Sequence, residues 1–307
     1  MTRFEELPTV PGTEERHAWA QFGDGDEFGT LNKITPQKTA SAAASIRTGR
    51  VFALSLPLNA PDAAPDTRPV YTHRVIKERN GRDDSLDGFF MSASSQWDGL
   101  RHVRYKQFGY YGGREDDELD SSGVLGMDRV AGRGIVSRAV LVDIPRFMTH
   151  QGVEWNPLVR HKIDSRLLDE CVEWQGCPIL EGDVLLLRTG WLAAWMALPD
   201  AVRAQGRGEN PGLDPDRSSA AWLWNRGISA IACDNMAVEP LPLKPKEEGF
   251  LHFRILPLLG MMMGEQFDFE GLAEDCSRDR VYDSFFTSSP LRIPHGVCSP
   301  PNALAIK

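Results

Sequence analysis

A mixed α/β fold is predicted for this chain of 307 residues by three observations. Short runs rich in β-branched and aliphatic residues recur along it. Segments with helical periodicity and capping residues lie between those runs. No low-complexity tract, internal repeat or composition shift divides the chain. With 41% hydrophobic and 25% charged residues, it has the balance of a soluble protein that can bury a full core.

The elements follow in order. Gly23 to Asn32 is a turn-rich loop. Thr35 is an N-cap and Pro36 suits a first helical turn, so a helix should run through Lys38 to Arg47, with Gly49 ending it. Val51 to Leu56 reads as a short strand stopped by Pro57, and Asn59 to Pro69 as a loop. Phe89 to Asp98 reads as a strand crowded with small polar residues, and Ile135 to Ile144 as a largely buried strand. Ser165 to Trp174 is an amphipathic helix, Val184 to Leu187 a strand and Ser218 to Asn225 a helix. Ile228 to Cys233 is a second buried strand, Met261 to Gly264 a short one, and a helix lies near Phe269 to Cys276. Ala204 to Pro215 is the weak candidate for a domain boundary and reads better as a surface loop.

Charge and motif content exclude several functions. The net charge is −9, which argues against nucleic-acid and anionic-membrane partners. The longest apolar run, Ile255 to Met263, is too short to span a bilayer and is broken by Pro257 and Gly260. Residues 1–6 lack the apolar core of a secretory signal. Cys171, Cys177, Cys233, Cys276 and Cys298 are widely spaced, with no CxxC pair. That is the pattern of isolated, reduced thiols, and the expected location is the cytoplasm. No G-x-S-x-G, P-loop or G-x-G-x-x-G occurs, so nothing supports a hydrolase serine elbow or a nucleotide cradle.

The densest polar stretch is Ser92-Ala93-Ser94-Ser95-Gln96-Trp97-Asp98-Gly99-Leu100-Arg101-His102. On a strand Gln96 and Asp98 point the same way, and His102 comes within reach if the chain turns at Gly99. An amide oxygen, a carboxylate and an imidazole could hold a divalent metal there. The spacing equally suits a solvated strand end with an Asp–Arg pair. His252 and Glu265 form a second candidate pair. On one helix they would face different ways, so they can meet only if the chain folds back at Leu258 to Gly260. Otherwise they are a surface histidine and a strand-end glutamate. His17, His73, His150 and His161 read as solvent-facing. His295 lies in a turn and is a candidate pocket residue. Tyr105, Phe108, Tyr110 and Tyr111 suit either core or pocket wall.

These stretches resemble the cyclase family of metal-dependent hydrolases, of the kynurenine formamidase and isatin hydrolase type. Its pattern, H-x-G-T-H-x-D-x-P-x-H, runs from Ser92 to His102 here. Asp98 and His102 match. Ser92 and Gln96 stand where the pattern has its first two histidines, and Ser94, Ser95 and Leu100 replace its Gly, Thr and Pro. Gln96-Trp97-Asp98-Gly99-Leu100-Arg101-His102 looks like the variant motif of long family members, and Gly29-Thr30-Leu31-Asn32 with Thr35-Pro36 like their N-terminal entry. Arg133-Gly134-Ile135 with Val140 to Asp143, and Gly182 to Leu186 with Thr189-Gly190-Trp191, resemble the central strands. His252 to Glu265 resembles a second ligand segment, and Pro290-Leu291-Arg292 with Ser299 to Ala303 a closing strand.

The resemblance implies one domain over residues 1–307, with a swivelling β/β/α fold and an N-terminal extension over about residues 1–50. It implies a homodimer or homotetramer acting on a small molecule. It implies one divalent metal ion held by Gln96, Asp98, His252 and Glu265, with His102 as the general acid/base. So oxygen-rich a set suits Mn²⁺ or Mg²⁺ at least as well as Zn²⁺. Trp97, Tyr110, Tyr111 and His295 are the candidate substrate-binding residues, their aromatic rings suiting a flat or cyclic substrate. The reaction expected is hydrolysis of a C–N or C–O bond in an amide, lactam or lactone by metal-activated water. The alternatives are a lyase, dehydratase or cyclase on the same site, or a degenerate protein that binds a small molecule without turnover.

Overall fold

The computed structural model describes residues 2–61, 68–206 and 208–307. Its strands, in chain order, are β1 (Val51–Ala53), β2 (Thr72–Lys77), β3 (Arg82–Asp87), β4 (Gln96–Asp98), β5 (Ile135–Asp143), β6 (Lys162–Ile163) and β7 (Val184–Arg188). There follow β8 (Gly212–Leu213), β9 (Ala230–Cys233), β10 (Met262–Glu265), β11 (Asp283–Ser288), β12 (Cys298–Ser299) and β13 (Ala303–Ile306). Among the described residues, nine of these form one sheet, ordered β1-β13-β11-β5-β7-β9-β10-β4-β12. The run β5-β7-β9-β10 is parallel, and antiparallel strands extend it on both sides. The mixed α/β expectation is met.

The parallel strands form where the sequence is apolar on both strand faces. Val184 to Arg188 and Ala230 to Cys233 are buried at every position, as strands covered on two sides must be. Helices Ser165–Gln175, Arg217–Asn225 and Glu270–Asp279 lie between strands and bury Leu168, Cys171, Leu223 and Leu272. Burying a side chain of that size contributes about 1.5–3 kcal/mol. The first helix, Pro36–Ala42, is capped as expected, with Thr35 accepting from the Lys38 amide, but it tightens into a 3₁₀ turn at Ala43–Ser45 short of Arg47.

Other expectations need correction. The strand expected over Phe89 to Asp98 is only Gln96–Asp98, because the serines before it bond elsewhere. Ser95 Oγ donates to the Gln266 carbonyl at 2.6 Å, and Ser94 Oγ to the Pro57 carbonyl at 3.1 Å. A hairpin of β2 and β3 went unanticipated. Its residues are nearly all exposed, so they carry no alternating pattern. Strand β1 ends at Ala53, before Leu56. The Asn59 to Pro69 loop falls partly outside the described residues, at 62–67. Ala204 to Pro215 contains β8, which pairs with β6. No helix among the described residues is long and apolar enough to cross a membrane.

Candidate metal centre

The polar cluster forms at one end of the sheet, where β4 is paired with β10 on one side and β12 on the other. Register decides which side chains meet. Gln96 lies opposite Glu265 across the β4–β10 ladder, and Cys298 lies opposite Asp98 across β4–β12. Directly opposed residues share a face, so Gln96, Asp98, Glu265 and Cys298 project together. Trp97 projects the other way. There the β10 residue opposite it is Gly264, where a Cβ would come within 2.6 Å of the Phe267 ring and 3.0 Å of the Trp97 ring. A glycine is what allows these rings to close over the back of the site.

His252 arrives by the fold-back. It sits in the turn Leu251–Phe253, which runs into a π-helical segment, Arg254–Leu258, that carries Pro257. Gly260, at φ +66°, then reverses the chain into β10. His252 Nε2 ends 3.4 Å from Glu265 Oε1. Its Nδ1 is 2.7 Å from Glu239 Oε2, and its backbone N–H donates to Glu239 Oε1 at 2.8 Å. Glu239 therefore fixes the ring so that Nε2 faces the cluster. Such an outer carboxylate is the usual partner of a metal-binding imidazole.

The electrostatics are lopsided. Asp98, Glu239 and Glu265 are all buried, and of this group His252 alone can carry positive charge. Burial and then the like charge of Asp98 push Glu265 up from the ordinary carboxylate range. Burial opposes charge on His252, but Glu239 and then Glu265 outweigh it and hold the imidazole well above its ordinary value. Gln96 Nε2 donates to Glu265 Oε2 at 2.8 Å. Gln96 Oε1 and Asp98 Oδ2 are buried without a hydrogen-bond partner among the described residues. Orphaned acceptors in an acidic, dry cluster are costly unless something positive meets them. One ligand atom each from Asp98, His252 and Glu265 lie within 4.8 Å of one another. Carboxylate, amide and imidazole donors at this spacing fit a divalent cation.

His102 stands on the open side, with its side chain 27% exposed. Its Nδ1 is 3.4 Å from Cys298 Sγ, and its ring centroid is 6.4 Å from that of His252. Its Nε2 lies 3.9 Å from Asp98 Oδ1, too far for a hydrogen bond. Cys298 Sγ donates to Asp98 Oδ1 at 3.1 Å, and burial beside Asp98 pushes its thiol far up.

The structure thus brings together Gln96, Asp98, His102, His252 and Glu265. It does not bring the four expected substrate-binding residues to them. Trp97 is fully buried, donates from Nε1 to Ser288 Oγ and packs on Phe267 and Phe286. Tyr111 is buried with its hydroxyl on Asp26, and Gly260 is pressed against its ring. Tyr110 donates its hydroxyl to Asp116 and lies beneath Arg104. His295 is exposed in its turn; its backbone N–H donates to Asp128, and its carbonyl accepts from Arg101. Trp97, Tyr110 and Tyr111 each have a side-chain partner elsewhere that fixes their direction. Conversely, Glu239 and Cys298 carried no local signal. Glu239 meets His252 only through tertiary structure, and Cys298 reads alone as one of five scattered thiols.

Comparison with known proteins agrees with this architecture. The Cyclase family model ("Putative cyclase") matches residues 52–240, more than half of the chain. A crystal structure described as that of a novel cyclase is 29% identical, covers 95% of this chain and 99% of its own, and superposes with a TM-score of 0.84. An isatin hydrolase bound to the product analogue thioisatinate is 14% identical, with 88% and 98% covered and a TM-score of 0.59. Isatin hydrolase A from Ralstonia solanacearum is 16% identical, with 89% and 98% covered and a TM-score of 0.56. No curated protein matches the chain. On the family match, the chain belongs to the Cyclase family.

Proposed function

We propose that this protein hydrolyses a C–N or C–O bond of a small cyclic or aromatic substrate, an amide, lactam or lactone, using one divalent ion. One observation carries the reading: three buried carboxylates, Asp98, Glu239 and Glu265, cluster around His252 and His102, with Asp98 Oδ2 and Gln96 Oε1 unpartnered among the described residues. Asp98, His252 and Glu265 would hold the ion, with Gln96 Oε1 as a neutral fourth donor. A divalent ion held there would lower the pKa of a water towards neutrality and so make hydroxide available at neutral pH.

The remaining roles fall to the chain. Glu239 orients His252 through Nδ1. Gln96 is oriented by its bond to Glu265, which aims Oε1 into the cluster. His102 has Nδ1 towards Cys298, which leaves Nε2 to take a proton from the attacking water and return it to the leaving nitrogen or oxygen. Two neighbours in fold are isatin hydrolases, so a lactam heads the substrates to try. The reading includes a cytoplasmic homodimer or homotetramer.

The test is metal content together with turnover. Wild type should hold a divalent ion and open lactams, amides or lactones. Asp98→Ala should lose both. His102→Ala should keep the ion and lose about 10²–10⁴-fold in rate. Wild type that takes up neither Mn²⁺ nor Zn²⁺ would defeat the mechanism.

A further inference from the structure

Cys298 is the one group at the site that the proposed mechanism leaves without a task. It lies on β12 directly opposite Asp98, 6% exposed, and its sulfur reaches Asp98 Oδ1 at 3.1 Å and His102 Nδ1 at 3.4 Å. One ligand atom each from Asp98, His102 and Cys298 lie within 4.8 Å of one another, as do those of Asp98, His252 and Glu265. Asp98 belongs to both groups. Its other oxygen, Oδ2, is buried and unpartnered, although Asp98 is only 1% exposed. The sulfur therefore flanks the same carboxylate that the ion needs, on the side occupied by His102. The chain also lacks histidine at residues 92 and 96, so the site is short of strongly basic donors.

We infer that Cys298 is a sulfur ligand of the divalent ion, bound beside Asp98 and so supplying the basic donor that Ser92 and the neutral amide of Gln96 do not. This rests on the metal-dependent reading above. The step balances simply. The S–H bond would break as a sulfur–metal bond formed, the thiol proton passing to His102 Nδ1 while the proton on Nε2 leaves to solvent from the exposed edge of that ring. His102 then donates Nδ1–H to the sulfur, with Nε2 still free as the base. Arg68, whose positive charge acts on Cys298, helps to offset the added negative charge.

A thiolate changes which ions the site prefers. Oxygen donors alone suit Mn²⁺ and Mg²⁺, whereas sulfur selects Zn²⁺, Co²⁺ and Cd²⁺. The inference thus predicts that the protein holds Zn²⁺ over Mn²⁺, and that Cys298→Ser removes about tenfold or more of that preference.

The experiment loads the full-length protein with Co²⁺ and measures bound cobalt and the near-ultraviolet spectrum separately. Wild type, Cys298→Ser and Cys233→Ser are compared, since Cys233 is the other thiol close to Glu265. The expected result is bound cobalt in all three, with a sulfur-to-cobalt charge-transfer band in wild type and Cys233→Ser that vanishes in Cys298→Ser. Cobalt bound without the band in wild type, or a band that survives in Cys298→Ser, overturns the sulfur ligand and leaves the metal site standing. No cobalt or zinc bound to wild type overturns both. X-ray absorption of the Zn²⁺-loaded wild type needs no variant to fold. A sulfur scatterer at about 2.3 Å is expected, and a shell of nitrogen and oxygen alone overturns the inference.

Discussion

Around β5 and β7, Asp143 and Asp183 are fully buried, and each is held by cations. Asp183 takes Arg138 at 2.6 Å, Lys38 at 2.5 Å and the Leu180 amide at 2.7 Å. Asp143 takes Arg188 and Arg146, both at 2.8 Å. At the β10-β4-β12 end, Asp98, Glu239 and Glu265 are buried about as deeply, yet among the described residues only imidazoles stand against them: His252 against Glu239 and Glu265, and His102 3.9 Å from Asp98. The same residue type thus plays opposite parts in one sheet. Near β5 and β7 the charges are neutralised internally and tie helices to strands. At the far end the protein tolerates an acidic surplus, which is what a cation-binding site requires.

The contrast can be broken most directly at Asp183. Asp183→Asn should lower unfolding free energy by about 3–5 kcal/mol, because Arg138 and Lys38 lose their buried partner. Denaturant unfolding measures it, and metal content should not change. A cost below about 1 kcal/mol would mean that the central pairs are not structural.

Glu239→Gln sharpens the other half. The loss of its charge behind His252 should weaken Zn²⁺ affinity about 10–100-fold, read by calorimetric titration. Unchanged affinity would reduce Glu239 to packing.

The smallest effect concerns Glu265 and pH. Its carboxyl is raised in the folded state, so between the ordinary value and the raised one the folded protein binds more protons than the unfolded. Stability in chelator should therefore fall as pH rises from about 4.5 towards neutrality. Glu265→Gln should flatten that fall and gain about 1 kcal/mol at pH 7. An unchanged pH profile would show that the surplus is relieved in some other way.

The parts of the fold that could be read in advance are those whose burial is uniform. β7, β9 and the second half of β5 announce themselves because both faces are covered, so small and aliphatic apolar residues follow one another without alternation. The β2–β3 hairpin is the converse, exposed on both faces and written mostly in charged residues. At the site, the likeness of residues 92–102 to a family pattern singled out Asp98 and His102. That Gln96 and Glu265 face each other depends on strand register, which sequence spacing does not encode. Glu239 lies thirteen residues from His252, and only the path of the intervening chain sets their side chains 2.7 Å apart. The expected aromatic wall failed for a related reason. Trp97 alternates with Gln96 and Asp98, so a strand that aims those two at the site must send the indole to the opposite face.

The pairing of Asp98 with Cys298 spans 200 residues of chain. A ribosome adding about 5–20 residues per second needs roughly 10–40 s to cover that interval. For most of that time β4 has been made but β10 has not, and β12 comes last. The candidate cluster is therefore incomplete until β12 has been made, and any ion the proposed site takes up would be loaded after that, in competition with whatever other ions are then present.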